Sequence, residues 1–213
     1  MARIAMIGAT GLIGRSLAPM LVAAGHDLMI VGRRRSNIAG AREAVAPVED
    51  WAAAVAGERL DLAISTLGTT RKAAGSMEAF EDVDRRAVIA FARAARADGA
   101  RQWMMVSSVG ADPHSRSAYL AVKGRAEADA LMLGYDRVDI FRPGLLMGAR
   151  AETRLAERLG QIVSPLINRL LVGSLDRYQA IAAERVAAAM ASLAASDGNG
   201  RHVHHNREIR RLS

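Results

Sequence analysis

Cysteine is absent from the 213-residue chain, which excludes disulfides, thiolate metal sites and cysteine nucleophiles, and nothing calls for an oxidising compartment. Aromatic residues make up only 4%, too few for the stacking platform of a single-strand nucleic-acid binder. Lys72 and Lys123 are the only lysines. No uncharged apolar run in the chain approaches the ~18 to 20 residues that a membrane-spanning helix needs. These absences lead to the expectation of a cytoplasmic protein without nucleic-acid or membrane partners.

The chain carries 29 Lys plus Arg against 22 Asp plus Glu, a formal charge of +7. The arginines are scattered, apart from a tight run at Arg33, Arg34 and Arg35 and a looser one at Arg207, Arg210 and Arg211. Such an excess favours anionic partners of some kind, nucleotides included. With 51% hydrophobic and 24% charged residues, the composition is that of a globular chain, read here as one domain over 1–213. His202, His204 and His205 lie near one another, but no carboxylate or third helix ligand is placed with them, so no metal site is expected.

Short apolar runs alternate with helical patterns, the signature of βα units feeding a parallel sheet. Strands are expected at Arg3 to Ile7, Asp27 to Val31, Ala44 to Val48, Leu60 to Thr66, Gln102 to Ser107, Val138 to Phe141 and around His202 to His204. Helices are expected near Leu12 to Ala24, Asp50 to Val55, Met77 to Ala97 and Ser117 to Leu133. In the third helix Phe80, Val83, Ala87 and Phe91 form an apolar side that should cover the sheet. The fold class is therefore α/β: a single Rossmann-type doubly wound parallel sheet with helices on both faces. Helical patterns at Ala151 to Leu171 and Asp176 to Ala195 read as a small C-terminal lid, 149–195, on the substrate side. The opening MARIAMIGATGLIG, an apolar run broken by glycines, reads as the first strand rather than a targeting segment.

That strand runs into Gly8-Ala9-Thr10-Gly11-Leu12-Ile13-Gly14, a G-x-x-G-x-x-G loop opening a helix. Glycines there allow a tight turn, close approach of a pyrophosphate to the backbone, and close packing of helix on strand, which points to a dinucleotide. An acidic residue at the end of the second strand would accept hydrogen bonds from an adenosine ribose and repel an added phosphate. Val31-Gly32-Arg33-Arg34-Arg35 stands there instead. Arginine forks grip phosphate, so NADP(H) is expected rather than NAD(H).

Tyr119 and Lys123 form a Y-x-x-x-K pair on one helix face, a pattern with a chance expectation of about 0.03 in a chain this poor in both residues. The Lys123 charge favours the Tyr119 phenolate, making the phenol an acid or base for catalysis. Upstream, Val106-Ser107-Ser108-Val109-Gly110 ends the fifth strand. Ser108 is preferred as the hydroxyl that polarises a substrate carbonyl, with Ser107 as the alternative.

These residues resemble the short-chain dehydrogenase/reductase superfamily in its atypical branch, and more narrowly the Tat-interacting protein and NmrA-like oxidoreductases. The segments that carry the likeness are GATGLIGRSL, VGRRR, STLGTTRKAAGS, EDVDRRAV, SSVGAD, YLAVKGRAEA and FRPGLLMG. The resemblance implies that Gly8, Thr10, Gly11, Leu12, Ile13 and Gly14 cradle the pyrophosphate and that Arg33 and Arg34 hold the ribose phosphate. It further implies that Leu67, Gly68 and Thr69 line the cofactor, that Lys123 also binds the nicotinamide ribose, and that Pro143 and Gly144 border the nicotinamide. Tyr119 would be the proton donor. Many longer relatives have asparagine where this chain has Asp84, which breaks an amide-based relay. Two functions follow: an NADP(H)-dependent reductase or dehydrogenase acting on a small carbonyl or alcohol, or an NADP(H)-sensing regulator that binds a protein partner. A homodimer is compatible with either.

Overall fold

The computed structural model describes residues 1–69, 74–147 and 173–213. Strand β1 (Arg3–Ile7) shows how the sheet is buried on both faces. Its alternate residues Ile4 and Met6 join Leu17 and Leu21 of helix α1 (Gly14–Ala23), while Ala5 and Ile7 join Val88 and Phe91 on the opposite face. Near-continuous apolar runs such as RIAMI are what a parallel strand covered on both sides requires.

Six further strands complete the sheet: β2 (Asp27–Gly32), β3 (Arg42–Val45), β4 (Leu62–Ser65), β5 (Gln102–Val106), β6 (Arg137–Phe141) and β9 (Gly200–His204). They lie in the order β3-β2-β1-β4-β5-β6-β9, and every pairing is parallel. The chain winds outward from β1 to β3 and then returns to place β4 on the other side of β1. That reversal opens a crevice at the carboxyl ends of β1 and β4, where doubly wound sheets bind ligands. The expected fold class is thereby observed. A separate two-stranded ladder joins β7 (Leu146–Met147) to β8 (Ile181–Ala182).

One face carries α1, α5 (Ala183–Leu193) and α6 (Asn206–Leu212). The other carries α2 (Met77–Glu81), its continuation α3 (Val88–Ala97), and α4 (Ala118–Leu131). The expected helix Met77 to Ala97 is not uniform, because Asp82–Ala87 is a π-helical stretch between α2 and α3. The apolar spacing does not separate the two geometries; Phe80 and Phe91 are fully buried on either side of the wider turn.

Three expectations are corrected. The third strand spans Arg42–Val45 rather than Ala44 to Val48, since Pro47 supplies no N–H to a ladder and opens a 3-10 turn at Val48–Asp50. The helix at Asp50 to Val55 is replaced by that turn and a second one at Ala53–Val55, with Trp51 buried between them. Helix 176–195 shortens to α5, preceded by a 3-10 turn at Gly173–Tyr178 and by β8. Within the expected lid of 149–195, α5 buries Val186, Ala187 and Met190 in the same cluster as Leu17 and Leu21, so it belongs to the layer covering the sheet. The expected helix Ala151 to Leu171 lies outside the described residues.

Candidate functional site

The turn after β1 is built by backbone constraints that only glycine meets. Gly8 has φ +88°, a left-handed conformation, and a Cβ built at Gly14 would lie 2.3 Å from the Gly8 carbonyl oxygen. The loop closes with the Gly11 N–H donating to Gly8 O at 2.9 Å and the Arg15 N–H donating to Gly11 O at 3.0 Å. Among the described residues, no acceptor takes the N–H of Leu12 or Ile13. Helix α1 has no acidic residue in its first turn and no side-chain cap. Its start is thus a donor-rich, electropositive end of the kind that holds phosphate.

Thr66, just past β4, pins this loop: its Oγ1 donates to Gly8 O at 3.0 Å. In the sequence Thr66 marks only the end of a strand. Two adjoining cavities of about 400 and 470 Å³ open over the loop, and both are lined by Gly8, Thr10, Arg33, Arg34, Leu67 and Val83. Gly11, Gly68 and Thr69 line the second; Val48 and Trp51 wall the first, where the Trp51 indole is fixed by donating to Ala46 O at 3.0 Å. The glycine loop, the arginine turn and the 67–69 segment, dispersed in sequence, therefore share one cleft. Trp51 and Val48 carry no motif and went unrecognised in the sequence.

Arg33 and Arg34 are exposed, and neither guanidinium has a carboxylate or hydrogen-bond partner among the described residues. No acidic residue ends β2. A cradle that excludes side chains at the donor-rich start of α1 fits a dinucleotide, and two guanidiniums stand beside it without a partner among the described residues.

Helix α4 presents Tyr119, Lys123 and Glu127 at successive turns. The half-buried Tyr119 ring stacks on Phe80 of α2, with centroids 5.4 Å apart. Lys123 is 3% exposed, and its Nζ meets Asp84 Oδ1 at 2.6 Å. Asp84, itself buried, has no other partner on that oxygen among the described residues, while its Oδ2 accepts the Thr69 N–H at 3.0 Å. Two rungs thus cross from α2 and the π-helical stretch to α4: Phe80 to Tyr119 and Asp84 to Lys123. A carboxylate within the apolar stripe of Phe80, Ala87 and Phe91 is the signal that Asp84 has a buried partner. Glu127 accepts from both the Nε and the Nη2 of Arg142, which leads directly into Pro143 and Gly144.

Ser107 is buried and its Oγ has no hydrogen-bond partner among the described residues, whereas the half-buried Ser108 Oγ donates to Val109 O at 3.3 Å. The Val109 N–H donates to Pro143 O at 3.0 Å, joining the serine loop to the segment after β6. The Gly144 N–H donates to Asn206 Oδ1 at 3.0 Å, and the same side chain donates to Gln179 O at 2.8 Å. Asn206 therefore ties the segment after β6 to the turn that precedes β8, a role the sequence does not signal. Among the described residues, no group of histidines and carboxylates could hold a metal ion.

Comparison with known proteins places this geometry in context. The chain is 34% identical over 211 positions to the mitochondrial protein fmp52 of Aspergillus fumigatus, covering 93% of this chain and 90% of that protein. It is 33% identical over 181 positions to the mitochondrial protein fmp52 of Emericella nidulans, covering 80% and 78%. These relatives overturn the cytoplasmic expectation, because they are named as mitochondrial. A chain without cysteine has no thiol on which a compartment's redox state could act, so its composition specifies no address.

In fold, the chain is similar to the Bordetella bronchiseptica enzyme WbmG in complex with NAD, with a TM-score of 0.71 and 14% identity over 96% of this chain and 72% of that one. It is also similar to the UDP-glucose 4-epimerase of Thermotoga maritima, with a TM-score of 0.70 and 14% identity over 99% and 81%. A family model described as NAD(P)H-binding matches residues 8–197, from the glycine loop past α5. With that match spanning nearly the whole chain and the cradle present in the structure, the protein belongs to the NAD(P)H-binding family.

Proposed function

We propose that this protein is an NADP(H)-dependent oxidoreductase of the atypical short-chain type, acting on a small carbonyl or alcohol. The observation that carries the reading is the pair Arg33 and Arg34, uncompensated and lining the same cleft as the glycine loop. A bound nicotinamide supplies or accepts the hydride. In the reducing direction Tyr119 gives its phenolic proton to the substrate oxygen as the carbon receives hydride, so a carbonyl becomes an alcohol. Lys123 holds positive charge one helical turn from that phenol, and Asp84 fixes where the charge sits. Ser108 or Ser107, on the loop joined to Pro143, supplies the hydroxyl that polarises the carbonyl. The likeness of YLAVKGRAEA, with Tyr119 and Lys123 in place, to the short-chain dehydrogenase/reductase superfamily supports this reading.

A second reading, an NADP(H)-sensing regulator with a protein partner, is favoured by the ion pair that already engages the Lys123 charge. Calorimetric titration with NADPH and NADH at identical salt tests the cofactor assignment common to both. NADPH should bind at least tenfold more tightly, and replacing both arginines with alanine should remove that margin, since a charge-assisted hydrogen bond contributes about 1.5–3 kcal/mol. Equal binding, or preference for NADH, overturns the NADP(H) assignment.

A further inference from the structure

Three consecutive guanidiniums repel one another, and the segment that carries them has little structure of its own. Among the described residues, no backbone carbonyl accepts an N–H from Arg33 to Asn37, and Asn37 adopts a left-handed φ of 57°. The turn is instead gathered by one side chain from the neighbouring strand. Glu43 of β3 directs Oε1 at three donors: the Ser36 N–H at 2.9 Å, the Ser36 hydroxyl at 2.5 Å and the Asn37 N–H at 2.8 Å. Parallel pairing places Glu43 beside Ile30, three residues before the arginines, so the carboxylate is carried by the sheet rather than by the loop it holds.

We infer that Glu43 is a positioning residue for cofactor selection: it clamps the turn so that Arg33 and Arg34 stay over the cleft, ready for the phosphate that distinguishes NADP(H) from NAD(H). The inference rests on the proposed NADP(H) reading and adds the residue that enforces it. A fork that must meet a phosphate from a freely moving loop loses affinity to the ordering of backbone and side chain, and a turn held beforehand avoids that loss. Glu43 spends its charge on Ser36 and Asn37, leaving the guanidiniums of Arg33 and Arg34 uncompensated. The Ser36 hydroxyl first, against a smaller opposing effect of desolvation, then the two N–H groups and the Arg35 charge hold the Glu43 carboxyl below the usual carboxylate range. The clamp is therefore ionised at neutral pH.

The test is the ratio of NADPH to NADH dissociation constants in the full chain, measured for the parent, Glu43→Ala and Glu43→Gln, with thermal unfolding of each as a check on folding. Glu43→Ala should weaken NADPH binding about tenfold and leave NADH binding within about twofold, because only the phosphate contact depends on the turn. Glu43→Gln keeps an acceptor oxygen and should recover most of the loss. Ser36→Ala removes one of the three donors without touching β3 and should shift the ratio in the same direction by a smaller factor. An unchanged ratio in Glu43→Ala, or equal weakening of both cofactors, overturns the clamp while the NADP(H) assignment stands on the parent's preference. No preference in the parent overturns both.

Discussion

At the scale of single residues, the site depends on chemistry that few positions carry. Tyr119 and Lys123 were legible because tyrosine and lysine are scarce here and a helix turns them to one face. Their surroundings were not: Phe80 under the Tyr119 ring and Asp84 against Lys123 come from a helix more than thirty residues away in sequence. The phenol is the group whose loss should affect chemistry alone. Tyr119→Phe keeps the ring and its stack, so NADPH affinity should be unchanged while turnover, measured on a carbonyl found by screening, falls about 10²-fold or more. Retained turnover would remove Tyr119 from the proton step. The preference for Ser108 over Ser107 illustrates the limit at this scale: adjacent serines are equivalent in sequence, and only the strand end determines that one hydroxyl is buried without a partner while the other bonds to Val109.

Between elements, the contact of α4 with α2 and the π-helical stretch is a ladder of specific pairs. Below the Phe80 to Tyr119 stack and the Asp84 to Lys123 ion pair, Arg85 binds Asp129 at 2.7 Å and Glu81 at 2.6 Å, and Arg125 reaches Glu81 at 3.2 Å. The outer pairs are partly exposed and contribute little, but the inner one is buried, so removing either partner strands a charge. Asp84→Ala alone should destabilise the protein by about 3–5 kcal/mol. The double variant Asp84→Leu, Lys123→Met should regain most of that, as read by urea unfolding. Additive losses would show that the pair is not coupled in the folded state. The π-helical stretch belongs to this scale too. Period counting expects one continuous helix from Met77 to Ala97, because an apolar stripe survives a single widened turn, and π turns cluster at functional positions.

For the molecule as a whole, a second buried charged cluster fastens the last strand to the sheet. Asp139 of β6 is fully buried and accepts from His204 Nε2 at 2.9 Å, Arg137 Nε at 2.7 Å and Gln102 Nε2 at 2.9 Å, linking β5, β6 and β9. Burial alone would raise its pKa, but the His204, Arg137 and Gln102 hydrogen bonds outweigh that and lower it from 3.8 to about 2. A carboxyl depressed on folding adds stability that is complete above its unfolded pKa and is lost as pH falls through the folded value. Stability should therefore drop by about 2 kcal/mol between roughly pH 4 and pH 2 on account of Asp139. Denaturant midpoints measured across that window should flatten in Asp139→Asn, and an unflattened profile would assign the acid sensitivity to other carboxylates.

The sequence by itself determined the strands β1 to β6, the bounds of β3 aside, the helices α1 and α4, the glycine loop and the lack of a carboxylate after β2. Each is local: hydrophobic period, backbone freedom and residue type act over a few positions. Compartment lay beyond it, as the mitochondrial relatives show. Only the tertiary structure decided which distant groups meet. It brought Thr66 to the glycine loop, Asp84 to Lys123, Glu43 to the arginine turn and Asn206 to Gly144, and it turned α5 onto α1. The physical reason is that these contacts depend on parallel register and helix packing between residues 7 apart for Ser36 and Glu43, 62 apart for Gly144 and Asn206, and farther still for α1 and α5, where no spacing rule within one segment applies.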